Sequence, residues 1–189
     1  MRICVFAGSN PGTRETHRAA ARSLGEEIAR RGYGLVYGGS SGGLMGICAD
    51  AALAGGADVA GVLPRALMGR EIAHKGITEL RVVGSLHERK AVMGALSDAY
   101  VALPGGYGTL DELFEAITWA QLGLHDRPIG VLDSDGYFTK LFEFLDEAAR
   151  DGFLRPFPRL SRASTAAALL DSLAPSMPAG ATLAPAPRP

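Results

Sequence analysis

The sequence is poor in residues that several classes of protein require. It contains only two cysteines, Cys4 and Cys48, and their spacing matches no metal-binding motif. Both lie in apolar stretches, so we predict reduced thiols in the core of a cytoplasmic protein. No apolar run approaches the about 18 residues that a membrane-spanning helix needs, and no signal peptide precedes the first predicted strand. We therefore predict no membrane partner and no bound metal.

The chain also lacks an excess of positive charge. Its 19 Lys and Arg residues face 20 Asp and Glu residues, which gives a formal net charge of -1. A protein that binds nucleic acid or a membrane surface without specificity needs a basic excess. Nucleic acid is therefore not an expected partner. Lysine in particular is rare, since only Lys75, Lys90 and Lys140 are present.

Short apolar segments alternate with amphipathic segments almost throughout the chain. We predict strands at 2–7, 34–37, 58–63, 77–83, 99–103, 128–132 and 159–163. Helices are predicted at 13–31, 44–54, 86–96, 137–150 and 165–173, with another that reaches residue 122. This alternation predicts an α/β fold: one Rossmann-like domain, a parallel sheet with helices on both faces. The domain is predicted to span residues 1–174, and the Pro- and Ala-rich tail at 175–189 to be disordered.

Three of the predicted strands end in glycine-rich loops, which begin at Gly8, Gly38 and Gly105. Ligands of parallel α/β sheets bind beyond the carboxyl ends of the strands. The three loops therefore predict one site at one edge of the sheet. Ser9, Gly39 and Met45 lie in or next to the first two loops and are expected to line this site.

The third loop leads directly into a predicted helix. Gly105, Gly106 and Gly108 remove Cβ atoms where the backbone would approach a ligand. The N–H groups of the turn and the positive end of the helix dipole favour an anion there. We expect Thr109 and Asp111 to cap the first turn. The loop thus predicts a phosphate site.

Two common nucleotide-binding motifs are absent. No glycine is followed by Lys and then Ser or Thr, as a Walker A loop requires. The loop after the first strand, residues 8–12, does not fit the Gly-x-Gly-x-x-Gly pattern of dinucleotide-binding proteins. Residues 133–136 resemble a calcium loop only in part, because the glycine comes too early and no glutamate closes the loop. These absences favour a mononucleotide ligand.

Residues 104–112, Pro-Gly-Gly-Tyr-Gly-Thr-Leu-Asp-Glu, resemble the PGGxGTxxE signature of the Lonely Guy family. Proteins of that family are cytokinin-activating phosphoribohydrolases and are often mislabelled lysine decarboxylases. The resemblance continues in the second glycine loop at 38–46 and in residues 86–91, where Leu86 replaces a methionine. It also includes residues 117–123 and extends over about residues 2–173.

The resemblance implies hydrolysis of the N-glycosidic bond of an adenosine 5′-monophosphate, including N6-substituted ones, without a cofactor. The sugar passes through an oxocarbenium-like state, which a nearby carboxylate stabilises. We assign that role to Glu112, with Arg89 orienting the carboxylate or the substrate. From the residues alone, Glu112 is equally well explained as a surface carboxylate that favours the helix dipole, and the resemblance decides for catalysis.

The expected substrate contacts comprise the third loop, the catalytic pair and three outlying positions. They are Glu71, Arg89, Lys90, Gly106, Tyr107, Gly108, Thr109, Leu110, Asp111, Glu112 and Thr118. On an ideal helix Thr118 projects well away from Glu112, so it is expected to serve another part of the ligand. The four histidines, 17, 74, 87 and 125, are interpreted as surface or helix-end residues. The resemblance also implies a homodimer with its site near the subunit contact.

Two other functions stay open at this stage. A non-catalytic carrier or sensor of a nucleotide or phosphorylated cofactor would use the same fold, but would not require the pair of Arg89 and Glu112. An amino-acid decarboxylase would need a lysine that forms a Schiff base with pyridoxal phosphate, and only three lysines are available.

Overall fold

The computed structural model describes residues 1–68, 73–154 and 160–177. Within these ranges seven strands alternate with six helices. The strands are β1 (Arg2–Phe6), β2 (Gly34–Tyr37), β3 (Val59–Pro64), β4 (Glu79–Val83), β5 (Ala99–Ala102), β6 (Ile129–Leu132) and β7 (Leu160–Ala163). The helices are α1 (Glu15–Arg30), α2 (Gly43–Ala54), α3 (Leu86–Ala95), α4 (Tyr107–Gln121), α5 (Thr139–Arg150) and α6 (Ala166–Leu173). Short 3-10 turns lie at Arg65–Leu67, Ser134–Gly136 and Ala174–Ser176.

The seven strands form one parallel sheet in the order β4-β3-β2-β1-β5-β6-β7. The chain builds outward from β1 to β4 on one side and then returns to place β5 on the other side of β1. Strand order reverses between β1 and β5, and a crevice opens at such a reversal. The prediction of a Rossmann-like parallel sheet is confirmed.

Alternating residues of β1 divide the core into two layers. Ile3 and Val5 pack with residues of α1, α2 and α6, whereas Cys4 and Phe6 pack with residues of α3, α4 and α5. Successive side chains of a strand point to opposite faces of the sheet, so a strand that is buried on both faces has no polar side. All four residues are at most 5% exposed. Helices therefore cover both faces, as predicted.

Several predicted boundaries shift where side chains replace regular backbone pairing. Strand β4 begins at Glu79 and not at residue 77, and the Thr78 hydroxyl accepts a hydrogen bond from the Val59 N–H at 3.0 Å. Helix α5 begins at Thr139 and not at residue 137, because a 3-10 turn precedes it in which Asp135 has a φ of 65°. The Asp133 carboxylate accepts the Phe138 N–H at 2.8 Å and fixes this turn.

The packed part of the chain extends past the predicted end of the domain at residue 174. Met177 is 8% exposed and belongs to the core layer that contains α6. The first residues assigned to a disordered tail, Pro175 and Ser176, form a 3-10 turn that carries Met177 back to the core. The remainder of the predicted tail, residues 178–189, lies outside the described residues. In the described ranges no helix is long and apolar enough to cross a membrane.

Candidate active site

The loops that follow β1, β2 and β5 meet at the crevice between β1 and β5. The Gly8 N–H donates to the Pro104 carbonyl at 3.0 Å, and the Leu44 N–H donates to the Gly8 carbonyl at 3.0 Å. A Cβ on Gly105 would lie 2.9 Å from the Gly8 nitrogen and would overlap the Thr109 hydroxyl. Glycine is therefore required where the first and third loops approach each other. The convergence that the sequence predicts is present, and backbone hydrogen bonds maintain it.

These loops enclose one side of a cleft of about 390 Å³, a typical size for a small-molecule site. Its other walls come from the start of α1, from α3 and α4, and from the turn that precedes α5. The predicted site residues that line it are Arg89, Gly106, Tyr107, Gly108, Thr109 and Glu112. Ser9 and Met45 line it as well, whereas Gly39 does not.

The first turn of α4 opens into this cleft. The helix begins at Tyr107, and Gly106 at the N-cap supplies no side-chain hydrogen bond. Thr109 is 3% exposed and packs beneath the loop, while Asp111 is exposed and pairs with Lys90. The prediction that these two residues cap the helix is therefore wrong. Because no side chain caps the helix, its first N–H groups and the positive end of its dipole are available to an anion.

Arg89 reaches the cleft from the first half of α3 and is 7% exposed. Its Nη2 atom donates to the Gly38 carbonyl at 3.3 Å, and its Nε atom is buried without a hydrogen-bond partner among the described residues. A buried guanidinium nitrogen without a partner is costly, which is typical of a group held ready for a ligand. Arg89 is therefore not a solvated surface residue.

The position of Arg89 depends on the glycine that it contacts. A Cβ on Gly38 would overlap Nη2 of Arg89 and would lie 2.8 Å from the Met45 sulfur. The second glycine loop thus leaves room for a buried guanidinium at the end of β2. This function of Gly38 differs from the direct approach to phosphate that glycine loops usually provide.

Glu112 lies on the same wall of the cleft, one turn into α4, and is partly buried. The Cys4 thiol beneath it responds to both members of the predicted pair. Burial and the Glu112 carboxylate raise the pKa of Cys4, and the Arg89 guanidinium lowers it. Both residues line this cleft, and the helices that carry them, α3 and α4, pack on the same face of the sheet. The structure therefore brings Arg89 and Glu112 to one wall of one cleft.

Lys90 and Asp111, two further predicted substrate contacts, lie outside the cleft and contact each other. The Lys90 ammonium is 3.1 Å from the Asp111 carboxylate and also pairs with Glu115. Burial lowers the pKa of Lys90, but hydrogen bonds to Glu115 and Asp111 outweigh burial and raise it. Since Arg89 and Lys90 are neighbours on α3, this ion pair fixes the helix that carries Arg89 against the helix that carries Glu112.

The remaining predicted contacts are also separate from the cleft. Leu110 packs against the core layer that contains α4, and Thr118 is exposed on the outer surface of that helix. Both border a shallow outer groove together with Phe114 and Trp119. Glu71 lies outside the described residues.

Sequence reasoning missed the wall opposite Glu112. His17, interpreted as a surface or helix-end residue, is 6% exposed and lines the cleft. Tyr137 lines it too, and its hydroxyl donates to the Gly105 carbonyl at 2.7 Å. His17 follows β1 and Tyr137 follows β6, so both lie beyond the carboxyl ends of strands, but chain position alone does not bring the two side chains together. In the described ranges no group of three or more His, Cys, Asp or Glu side chains is arranged to hold a metal ion.

Comparison with known proteins assigns the chain to a family. A family model described as possible lysine decarboxylase matches residues 45–172, more than half of the chain. A probable cytokinin riboside 5′-monophosphate phosphoribohydrolase of Oryza sativa subsp. japonica is 49% identical over 179 residues, which cover 94% of this chain and 85% of that protein. A cytokinin riboside 5′-monophosphate phosphoribohydrolase of Arabidopsis thaliana is 51% identical over 158 residues, 84% of this chain and 74% of that protein. The chain belongs to the Lonely Guy family.

Solved structures extend the fold beyond the Lonely Guy family. A Moco carrier protein from Chlamydomonas reinhardtii superposes with a TM-score of 0.69 at 24% identity, covering 93% of this chain and 96% of that one. DNA processing protein A from Streptococcus pneumoniae gives a TM-score of 0.60 at 12% identity over 91% of this chain and 61% of that one. At these identities the likeness concerns the fold alone.

The ion pair between α3 and α4 generates a stability prediction. Replacing Lys90 with Met leaves Asp111 and Glu115 without their shared cation. We expect the free energy of unfolding to fall by about 1–3 kcal/mol. Breaking a fully buried ion pair costs about 3–5 kcal/mol, and the cost is smaller here because Asp111 is exposed. Urea denaturation at pH 7 measures this change. Lys140→Met, an exposed lysine at the start of α5, is the matched control, and equal stability of the two variants would contradict the structural role of Lys90.

Proposed function

We propose that this chain hydrolyses the N-glycosidic bond of cytokinin riboside 5′-monophosphates and related adenosine 5′-monophosphates, and releases the free base and ribose 5-phosphate. Relatives that bear this activity in their names are about half identical to it over most of its length. The observation that carries the proposal is the presence of Arg89, Glu112 and the uncapped start of α4 in the same cleft.

The start of α4 is the proposed site of the 5′-phosphate. Gly106 and Gly108 have open space where a Cβ would stand, so a phosphate can approach their backbone closely. The N–H groups of the first turn donate to the phosphate oxygens, and the helix dipole adds a favourable potential. Binding of the phosphate there fixes the position of the ribose relative to Glu112, which lies one turn further along the same helix.

Glu112 is the proposed catalytic carboxylate. As the N-glycosidic bond lengthens, positive charge develops on C1′ and the ring oxygen of the ribose, and a carboxylate beside them lowers the barrier. The same carboxylate orients a water molecule for attack on C1′ and accepts its proton. The base departs with the electron pair of the bond and takes up one proton, which balances the proton that the carboxylate accepts from the water.

Arg89 is the proposed orienting group. Its guanidinium is held by the Gly38 carbonyl, and its buried Nε atom retains a donor for a ligand or for a carboxylate. A planar guanidinium orients carboxylates and hydroxyl groups through fixed pairs of donors. Burial fixes its direction before the substrate arrives, which lowers the reorganisation needed in the reaction.

The cleft argues against amino-acid decarboxylation. No lysine lines it among the described residues, and Lys90, which lies nearest in sequence to Arg89, is paired with Asp111 and Glu115. A Schiff-base lysine has to reach the cofactor with a free amino group. The family description as a possible lysine decarboxylase therefore has no support from the cleft.

Replacing Glu112 with Gln tests the proposal against the alternative of a carrier. We expect release of adenine from AMP, and of isopentenyladenine from its riboside 5′-monophosphate, to slow by about 10²–10⁴-fold while binding of AMP is retained. Released base is measured by chromatography and binding by calorimetry. Glu143→Gln, at an exposed position of α5, is the control. Tight binding of AMP without base release by the unmodified protein would establish the carrier function instead.

We further infer that two copies associate through the outer surface of α4 and the loop that follows it. Tyr107, Leu122 and Leu124 are 95%, 69% and 68% exposed, an apolar surface that water disfavours. Thr118 lies on the same surface, away from the cleft of its own chain. Its predicted substrate contact would therefore be made in the cleft of the second copy. The free, buried state of Cys4 and Cys48 supports a cytoplasmic location for this assembly.

The proposed dimer can be tested by placing a charge on this surface. We expect Leu122→Glu to convert the dimer into a monomer, because it would desolvate a carboxylate in an apolar contact. Light scattering coupled to gel filtration measures the mass. Phe144→Glu is a matched control, since Phe144 is 63% exposed but lies on α5. A monomeric unmodified protein, or a dimer that persists in Leu122→Glu, would refute this interface.

A further inference from the structure

The wall of the cleft opposite Glu112 contains a histidine that the proposed mechanism does not use. His17 lies in the first turn of α1, and its ring packs edge-on against Tyr137 with ring centroids 5.2 Å apart. The Tyr137 hydroxyl donates to the Gly105 carbonyl at 2.7 Å. Through Tyr137 the imidazole is therefore held beside the loop at which we place the phosphate.

The hydrogen bonding of His17 is incomplete. The side chain is 6% exposed, and its Nδ1 atom is buried without a partner among the described residues. An orphaned lone pair costs less than an orphaned N–H group, so the neutral ring places its proton on Nε2. A positive ring would add a proton at Nδ1, where nothing in the described chain accepts it. The geometry thus favours a neutral imidazole that offers one donor, Nε2–H.

The charges around His17 agree with a neutral ring. Burial and the nearby Arg14 guanidinium lower the pKa of His17, and Asp135 opposes them only in part. Arg14 is itself paired with Asp135 at 3.2 Å.

The cleft needs additional donors for a phosphate. Arg89 and Glu112 contribute opposite charges to its lining, and no other Lys, Arg, Asp or Glu of the described chain lines it. The nearby Arg18 is engaged with Glu15 and with the Gly12 carbonyl. A phosphate dianion therefore depends on N–H groups more than on cations. Of the histidines in the described ranges, only His17 lines this cleft.

We propose that His17, as a neutral imidazole, donates its Nε2–H to an oxygen of the substrate phosphate and thereby selects nucleotides over nucleosides. This inference rests on the proposed function for the identity of the substrate, a phosphate monoester of a nucleoside. His17 then acts with the first turn of α4 from the opposite side of the same phosphate. Tyr137 is the positioning residue that fixes the imidazole ring.

Binding of ribose 5-phosphate tests this inference without any turnover. We expect His17→Phe, which keeps an aromatic ring against Tyr137, to weaken binding of ribose 5-phosphate about tenfold to a hundredfold, the range for a hydrogen bond to a charged group. His17→Gln places an amide near the Nε2 position and is expected to restore most of the affinity. His17→Asn, whose amide reaches only the Nδ1 position, is not expected to restore the affinity. Binding of adenosine should change less than about twofold in all three variants.

His87→Phe, an exposed histidine on α3, is the control and should bind ribose 5-phosphate as the unmodified protein does. Nitrogen NMR of the imidazole rings should show His17 as the Nε2-protonated neutral form at pH 7, with and without ribose 5-phosphate. An imidazolium, an Nδ1-protonated ring, unchanged affinity in His17→Phe, or no binding by the unmodified protein would each overturn the inference. This test measures binding and not turnover. Its outcome is therefore independent of whether the protein hydrolyses nucleotides.

Discussion

The hydrogen bond between the Gly8 N–H and the Pro104 carbonyl is the constraint on which the site depends. It joins the loops after β1 and β5 where strand order reverses, and it exists only because Gly105 allows the backbones to approach. This contact sets the first turn of α4 opposite the first turn of α1. Glu112 and His17 consequently line the same cleft from different sides.

Burial of Arg89 near the site carries an energetic cost. A guanidinium that is 7% exposed, with Nε unpaired among the described residues, destabilises the protein unless a ligand or carboxylate compensates. The fold limits this cost with the Gly38 carbonyl and with the ion pair that Lys90 forms to α4. Residues outside the cleft therefore help to determine the geometry of Arg89 and Glu112 within it.

The sheet and the three loops follow from local patterns: apolar runs, periodic helices and glycines at strand ends predict them without tertiary information. The fine structure of the site does not, because it depends on contacts between distant segments. Thr109 fits a capping residue by sequence but is buried beneath Gly105, and Lys90 is predicted to contact the substrate but pairs with Asp111. His17 was missed because only the fold places it against Tyr137, 120 residues further along the chain.

We propose that one cleft holds the phosphate at the start of α4 and the glycosidic bond beside Glu112. A crystal structure of the Glu112→Gln variant with intact AMP tests it most directly. We expect the phosphate within hydrogen-bond distance of the N–H groups of residues 106–109, and C1′ next to the residue 112 side chain with Arg89 alongside. A phosphate bound elsewhere in the cleft, or C1′ turned away from residue 112, would contradict it.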